Sequence, residues 1–186
     1  MVNMTDLRLG RNEIGPEGVN ALARALRWRG RLGNMGNMHW LRLHVNNIGP
    51  EGAVALAGAL GNMVNTAKLD LFQNAIGPIN MTRGLVLNMV NMRRLFLTGN
   101  IGPEGAGALA GALGKMVNMT VLSLGENAIG PEGASAGALG NMVNMTELSL
   151  SKNDIGPEGA SALAGALGNM VNMAGRWRGR WARWST

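Results

Sequence analysis

Apolar residues in this chain follow two alternating rhythms. Over Leu148-Ser149-Leu150 the period is two, so both leucines lie on one side of an extended strand, with Glu147, Ser149 and Ser151 on the other. Shortly afterwards Ala160, Leu163, Ala164 and Leu167 fall at i, i+3, i+4 and i+7, which predicts one buried stripe along a helix. Gly156-Pro157-Glu158 stands between the two. Proline at the first helical position loses no needed N–H, and glutamate in the first turn suits the positive end of the helix dipole. Gly168 is placed to cap the far end of the helix. Met142 and Met145, just before the strand, extend the core through the returning loop.

The pair of rhythms recurs. The leading leucine returns at Leu7, Leu41, Leu69, Leu95, Leu122 and Leu148, with spacings of 34, 28, 26, 27 and 26 residues. All six prolines (Pro16, Pro50, Pro78, Pro103, Pro131 and Pro157) hold the same place in their units. Strand followed by helix, repeated in one direction, predicts a parallel sheet with the helices along one side. Helices are wider than strands, so the stack curves with the sheet inside, and each unit depends on its neighbours for burial. The expected fold class is an α/β solenoid of about six repeats.

The pattern Leu-x-Leu-x-x-Asn-x-Ile-Gly, then Gly-Ala and Leu-Ala-x-Ala-Leu, resembles the ribonuclease-inhibitor-like, cytosolic leucine-rich repeats. The resemblance spans residues 1 to about 173. It implies a horseshoe fragment with the sheet concave and the helices convex, and a protein-binding role. It also implies that Asn12, Asn46, Asn74, Asn100, Asn127 and Asn153 form a structural ladder, their amides satisfying backbone groups in the turn after each strand.

Several units depart from the pattern. The expected solenoid covers residues 1–175, irregular at 27–32 and at 77–92, where the third unit loses its Ala/Leu stripe. The fourth unit lacks one residue between Asn100 and Ile101, and the fifth helix lacks two. The segment Arg27-Trp28-Arg29-Gly30-Arg31 returns unchanged at Arg176–Arg180. GC-rich codons for Ala21–Leu26, read one base late, would spell that same segment. On this reading both copies are out-of-frame images of the helix repeat, and residues 176–186 are expected to be a disordered tail.

Charge adds less than its total suggests. The net charge is +6, but seven arginines (27, 29, 31, 176, 178, 180 and 183) belong to the two Arg/Trp segments, and without them the balance is −1. The basicity is local and does not mark the whole chain as a nucleic-acid binder. Residues 176–184 could, as a helix, align Trp177, Trp181 and Trp184 against arginines and touch an anionic membrane or nucleic acid. There is no cysteine, which removes disulfides and thiolate metal sites. No apolar run reaches the roughly 18–20 residues of a membrane span, and the first residues lack the basic and apolar regions of a signal peptide. The expected location is cytoplasmic or nuclear, neither secreted nor transmembrane.

An enzyme is not expected. His39 and His44 are the only histidines and lack supporting carboxylates for a metal site. Gly114-Lys115-Met116 lacks the rest of a phosphate-binding loop. The Asn-Met-Thr sequons at Asn3, Asn80, Asn118 and Asn144 arise from the repeat and carry no weight without secretion. No catalytic residue, metal, cofactor or small-molecule substrate is assigned.

Outward positions of the sheet are the functional candidates, because the core does not dictate them. Unit by unit they read Asp6, Arg8 and Gly10; Trp40, Arg42 and His44; Lys68, Asp70 and Phe72; Arg94, Phe96 and Thr98; Val121, Ser123 and Gly125; Glu147, Ser149 and Ser151. Partner binding is assigned to Arg8, Trp40, Arg42, His44, Lys68, Asp70, Phe72, Arg94 and Phe96, an aromatic–basic patch of the kind that anchors interfaces. The expected function is a scaffold that binds an unidentified protein through the concave face. The alternatives are a truncated or frameshifted array without independent function, or a tail that binds membrane or nucleic acid.

Overall fold

The computed structural model describes residues 4–27, 37–61, 63–77, 91–99, 101–113, 116–134 and 144–167. Outside them lie Asn100, Gly168, Met142, the insertion at 28–32, the third unit's expected helix, the end of the fifth and the Arg/Trp tail.

Six short strands form one parallel sheet in chain order: β1 (Asp6–Arg8), β2 (Trp40–Arg42), β3 (Lys68–Asp70), β4 (Arg94–Phe96), β5 (Val121–Ser123) and β6 (Glu147–Ser149). Their register is the register of the repeat. Leu7 pairs with Leu41, Leu41 with Leu69, Leu69 with Leu95, Leu95 with Leu122 and Leu122 with Leu148. The described helices are α1 (Gly15–Arg27), α2 (Gly49–Leu60), α3 (Pro103–Leu113), α4 (Gly130–Ala134) and α5 (Gly156–Leu167). Four of them begin on the glycine before the proline, and α3 begins on the proline itself. That glycine has φ between 63° and 66° at Gly15, Gly49, Gly102, Gly130 and Gly156, a left-handed turn into the helix that a side chain resists.

Leu7, Leu9, Leu148 and Leu150 in the first and last units are partly buried, whereas the two leucines of each of the four middle units are buried, as are Ile48, Leu56, Leu60 and Ile76. Burying each such side chain contributes roughly 1.5–3 kcal/mol. Methionine carries the core through the returning loop at Met38, Met63, Met92, Met116, Met119 and Met145. Helices pack closely where side chains are small: a Cβ on Gly52 would lie 3.1 Å from the Cα of Pro16, so a larger residue there would push α2 and α1 apart by a few tenths of an ångström.

One local expectation needs correction. The stripe of α5 is only partly buried: Leu163 is inside, whereas Ala160 and Ala164 are exposed. Their counterparts Ala53 and Ala57 in α2 are buried. The difference is positional, since among the described residues no unit stacks beyond α5. Gly168 lies outside the described residues; its counterpart Gly61 is the C-cap of α2, right-handed at φ −56°, with its N–H donating to the carbonyl of Ala57 at 3.3 Å.

The buried asparagines reach backward into the unit before their own. Asn46 accepts from the N–H of Asn12 at 2.9 Å and donates to the carbonyl of Leu9 at 2.6 Å. Asn74 accepts from the N–H of Asn46 at 2.8 Å and donates to the carbonyls of Leu43 and Leu71 at 2.8 and 2.9 Å. Asn127 accepts from Ile101 at 2.9 Å, and Asn153 from Asn127 at 2.8 Å. Asn12 differs: it is exposed, with no earlier unit among the described residues to receive it, and its side-chain amide donates within its own turn, to the carbonyl of Gly10 at 3.1 Å.

One core position is chemically out of place. Thr66 occupies the site that Met38, Met92, Met119 and Met145 fill in other units, and it is fully buried, its hydroxyl without a partner among the described residues. Thr66→Val keeps the shape and removes the stranded hydroxyl, so it should raise stability by about 1 kcal/mol in urea denaturation. Asn74→Ala strands several buried backbone groups and should cost about 3 kcal/mol or more. Asn12→Ala should stay within about 0.5 kcal/mol of wild type. Equal losses for the two asparagines would contradict the backward-reaching arrangement.

Candidate functional site

Because the strands stack without slippage, their outward residues form three rows across the concave face. Asp6, Trp40, Lys68, Arg94, Val121 and Glu147 make the first, and Arg8, Arg42, Asp70, Phe96, Ser123 and Ser149 the second. Gly10, His44, Phe72, Thr98, Gly125 and Ser151 continue the strands into a third, linked by backbone hydrogen bonds such as Val45 N–H to the carbonyl of Phe72 at 2.8 Å.

Trp40 is the centre of the first three units. The guanidinium of Arg42, two residues along the same strand, lies 3.3 Å from the ring centroid, and the ammonium of Lys68 on the next strand lies 4.5 Å away. Cations over an indole face are attracted by its quadrupole. Trp40 is half-buried beneath them, and among the described residues its indole N–H has no acceptor. Asp6 takes hydrogen bonds from Arg8 at 2.8 and 2.6 Å and lies 4.0 Å from Arg42. His44 lies over Gly10, where a Cβ would collide with the imidazole, and its Nδ1 is 3.3 Å from a carboxylate oxygen of Asp70. Phe72 and Phe96 are half-buried on adjacent strands, and Arg94 is exposed.

The other half of the face is chemically different. Ser123, Ser149 and Ser151 replace the aromatic and basic groups, and Thr98 shares a hydrogen bond with Ser123 at 3.0 Å. Two positions that the strand alternation sends outward do not reach solvent. Val121 is 9% exposed, and Gly125 is buried with Ser151 against it.

Sequence reasoning missed the edge where the chain enters the strands. A groove of about 660 Å³ runs there, lined by Trp40 and Lys68 together with His39, Asn65, Asn91, Arg93 and Asn118. Its asparagines precede successive strands and tie loop to loop. Asn91 donates to the carbonyl of Val64 at 2.9 Å, and Asn144 donates to Val117 at 2.8 Å. Val64 and Val117 are exposed beside them. The sequence signal is the Val-Asn pair before each of the last four strands, which falls within a sequon only at Asn118 and Asn144. Among the described residues no cluster of three or more His, Asp or Glu could hold a metal ion, and no helix is long and apolar enough to cross a membrane.

A curved parallel sheet, helices on its outer side and an asparagine turn in each unit define a leucine-rich-repeat solenoid. Residues 1–23, 39–57, 115–136 and 141–164 match the Leucine Rich repeat family model. The chain therefore carries leucine-rich repeats, of the ribonuclease-inhibitor-like kind that its sequence resembles. The tropomodulin C-terminal domain of Caenorhabditis elegans has a similar structure, with a TM-score of 0.60 and 17% identity over 90% of this chain and 99% of that one. At that identity the likeness is one of fold alone. No curated protein sequence matches the chain.

The hydrogen bonds from Arg8 hold the Asp6 carboxyl below the usual carboxylate range; partial burial opposes this, and the charges of Arg8, Arg42 and Lys68 add to it. A depressed folded-state pKa stabilises the fold above the ordinary carboxylate pKa, and that contribution is lost as pH falls through the folded value. Thermal melts of wild type and Asp6→Asn across an acid series should show a small gap at neutral pH that closes in acid. A gap that widens in acid would mean that the ionised carboxylate is not the stabilising form.

Proposed function

We propose that this chain is a protein-interaction scaffold that presents the concave face of its first four units to a protein partner. The observation that carries the reading is the half-buried Trp40 ring, held on the open face between Arg42 and Lys68 at 3.3 and 4.5 Å. Tryptophan and arginine are the residue types whose truncation costs most at interfaces, because a rigid ring buries a large area at little entropic cost. Phe72, Phe96 and Arg94 on the adjoining strands extend the patch, with Arg8, His44 and Asp70 around it. Small serines beyond it leave that half of the face with little to anchor a partner. On this reading the chain works in the cytoplasm, without cofactor or small-molecule substrate. The ladder asparagines hold the face in shape and take no part in contact.

The test is affinity capture from a lysate, comparing the wild-type chain with a Trp40→Ala/Phe72→Ala/Phe96→Ala variant after circular dichroism has shown both folded. The variant should lose specifically captured proteins by about tenfold or more, as expected when anchor residues are truncated. An unchanged set of captured proteins would remove the patch from consideration.

A further inference from the structure

The edge groove sets unmatched positive charge beside an aromatic ring. Asp6, the one carboxylate lining it, is already engaged by Arg8. Lys68 and Arg93, on adjacent units, form no ion pair among the described residues. Arg93 is exposed, while Lys68 is half-buried over the Trp40 ring. The rest of the lining is His39, Ala67 and hydrogen-bonding groups, the Asn65, Asn91 and Asn118 amides with Thr5. A volume of about 660 Å³ is within the range of pockets that hold a drug-sized ligand.

We propose that this groove binds an acidic, extended segment of the partner protein. Its carboxylates pair with Lys68 and Arg93, and its aliphatic portions lie along the Trp40 ring and the exposed Val64. The inference rests on the reading of the concave face as a contact surface and adds the chemistry of what is contacted. Charge complementarity supplies the orientation and the association rate. A nucleic-acid strand fits less well, because polyanion binding requires basic residues that track a backbone. Here the cations stop at the fourth strand: the outward residues of β5 and β6 are Val121, Ser123, Glu147 and Ser149.

The experiment is fluorescence anisotropy of a labelled Glu-rich peptide with the full chain at low salt. Wild type should bind, and binding should weaken as salt rises. Lys68→Glu/Arg93→Glu should weaken it by about tenfold or more. Lys68→Gln/Arg93→Gln, a gentler change in case the reversal disturbs Trp40, should give an intermediate loss. Lys152→Glu, outside the groove, should bind like wild type. A Phe72→Ala/Phe96→Ala variant should also keep its peptide affinity, since neither ring lines the groove, even where it loses captured proteins. That separates failure of the groove from failure of the wider patch. No binding by wild type overturns the proposal, as does undiminished binding by both double variants, which would move the site to the Arg/Trp segment at 176–184. Tighter binding of an unstructured RNA than of the peptide, at matched charge, overturns it as well.

Discussion

No unit of this chain can bury its own apolar faces, and everything else follows from that constraint. A strand of three residues with one leucine on its inner side is unstable alone. Stacked beside an identical strand it shares a ladder of hydrogen bonds and a continuous core. The pairing of Leu7, Leu41, Leu69, Leu95, Leu122 and Leu148 shows how strictly the stack is kept. A slip of one residue would turn every leucine toward water and every charge toward the core. Insertions and losses therefore fall between strands and leave the pairing unbroken.

The same strictness gives the surface its organisation. Residues far apart in sequence become lateral neighbours, so a change in one unit alters a patch spanning three. The Trp40 cluster draws Asp6 from the first unit, Arg42 from its own and Lys68 from the third. Beyond the fourth strand the rows turn to serine and glycine, and the face divides into a basic, aromatic half and a small, polar half. The groove arises where the returning loops meet the strands, and its floor is the edge of that first row.

Much of this was legible in the chain itself. Period-two leucines fixed which side of each strand is buried, and the recurrent Gly-Pro placed the helix starts. The direction in which Trp40, Phe72 and Phe96 point followed from alternation alone. Alternation could not show that Val121 is covered or that Ser151 closes over Gly125, because side-by-side packing depends on neighbours brought together only by the fold. Ala160 and Ala164 of α5 are exposed despite a helical pattern like that of α2, since periodicity encodes a face but not whether anything lies against it. The edge groove was illegible for another reason. The returning loops repeat Val-Asn but lack the alternation of a strand, so the recurrence did not tell which way Asn65, Asn91 or Arg93 would turn.

The backward reach of the asparagine amide gives the array a polarity that its near-identical units conceal. A unit's turn is completed by its successor, as the turn around Asn46 is by Asn74 and that around Asn127 by Asn153. Damage to an asparagine is consequently felt one step upstream, in a segment whose own sequence is intact. Lengthening by duplication is asymmetric for the same reason. A copy inserted anywhere must bring an amide for the turn before it, while its own turn is finished only by what comes after.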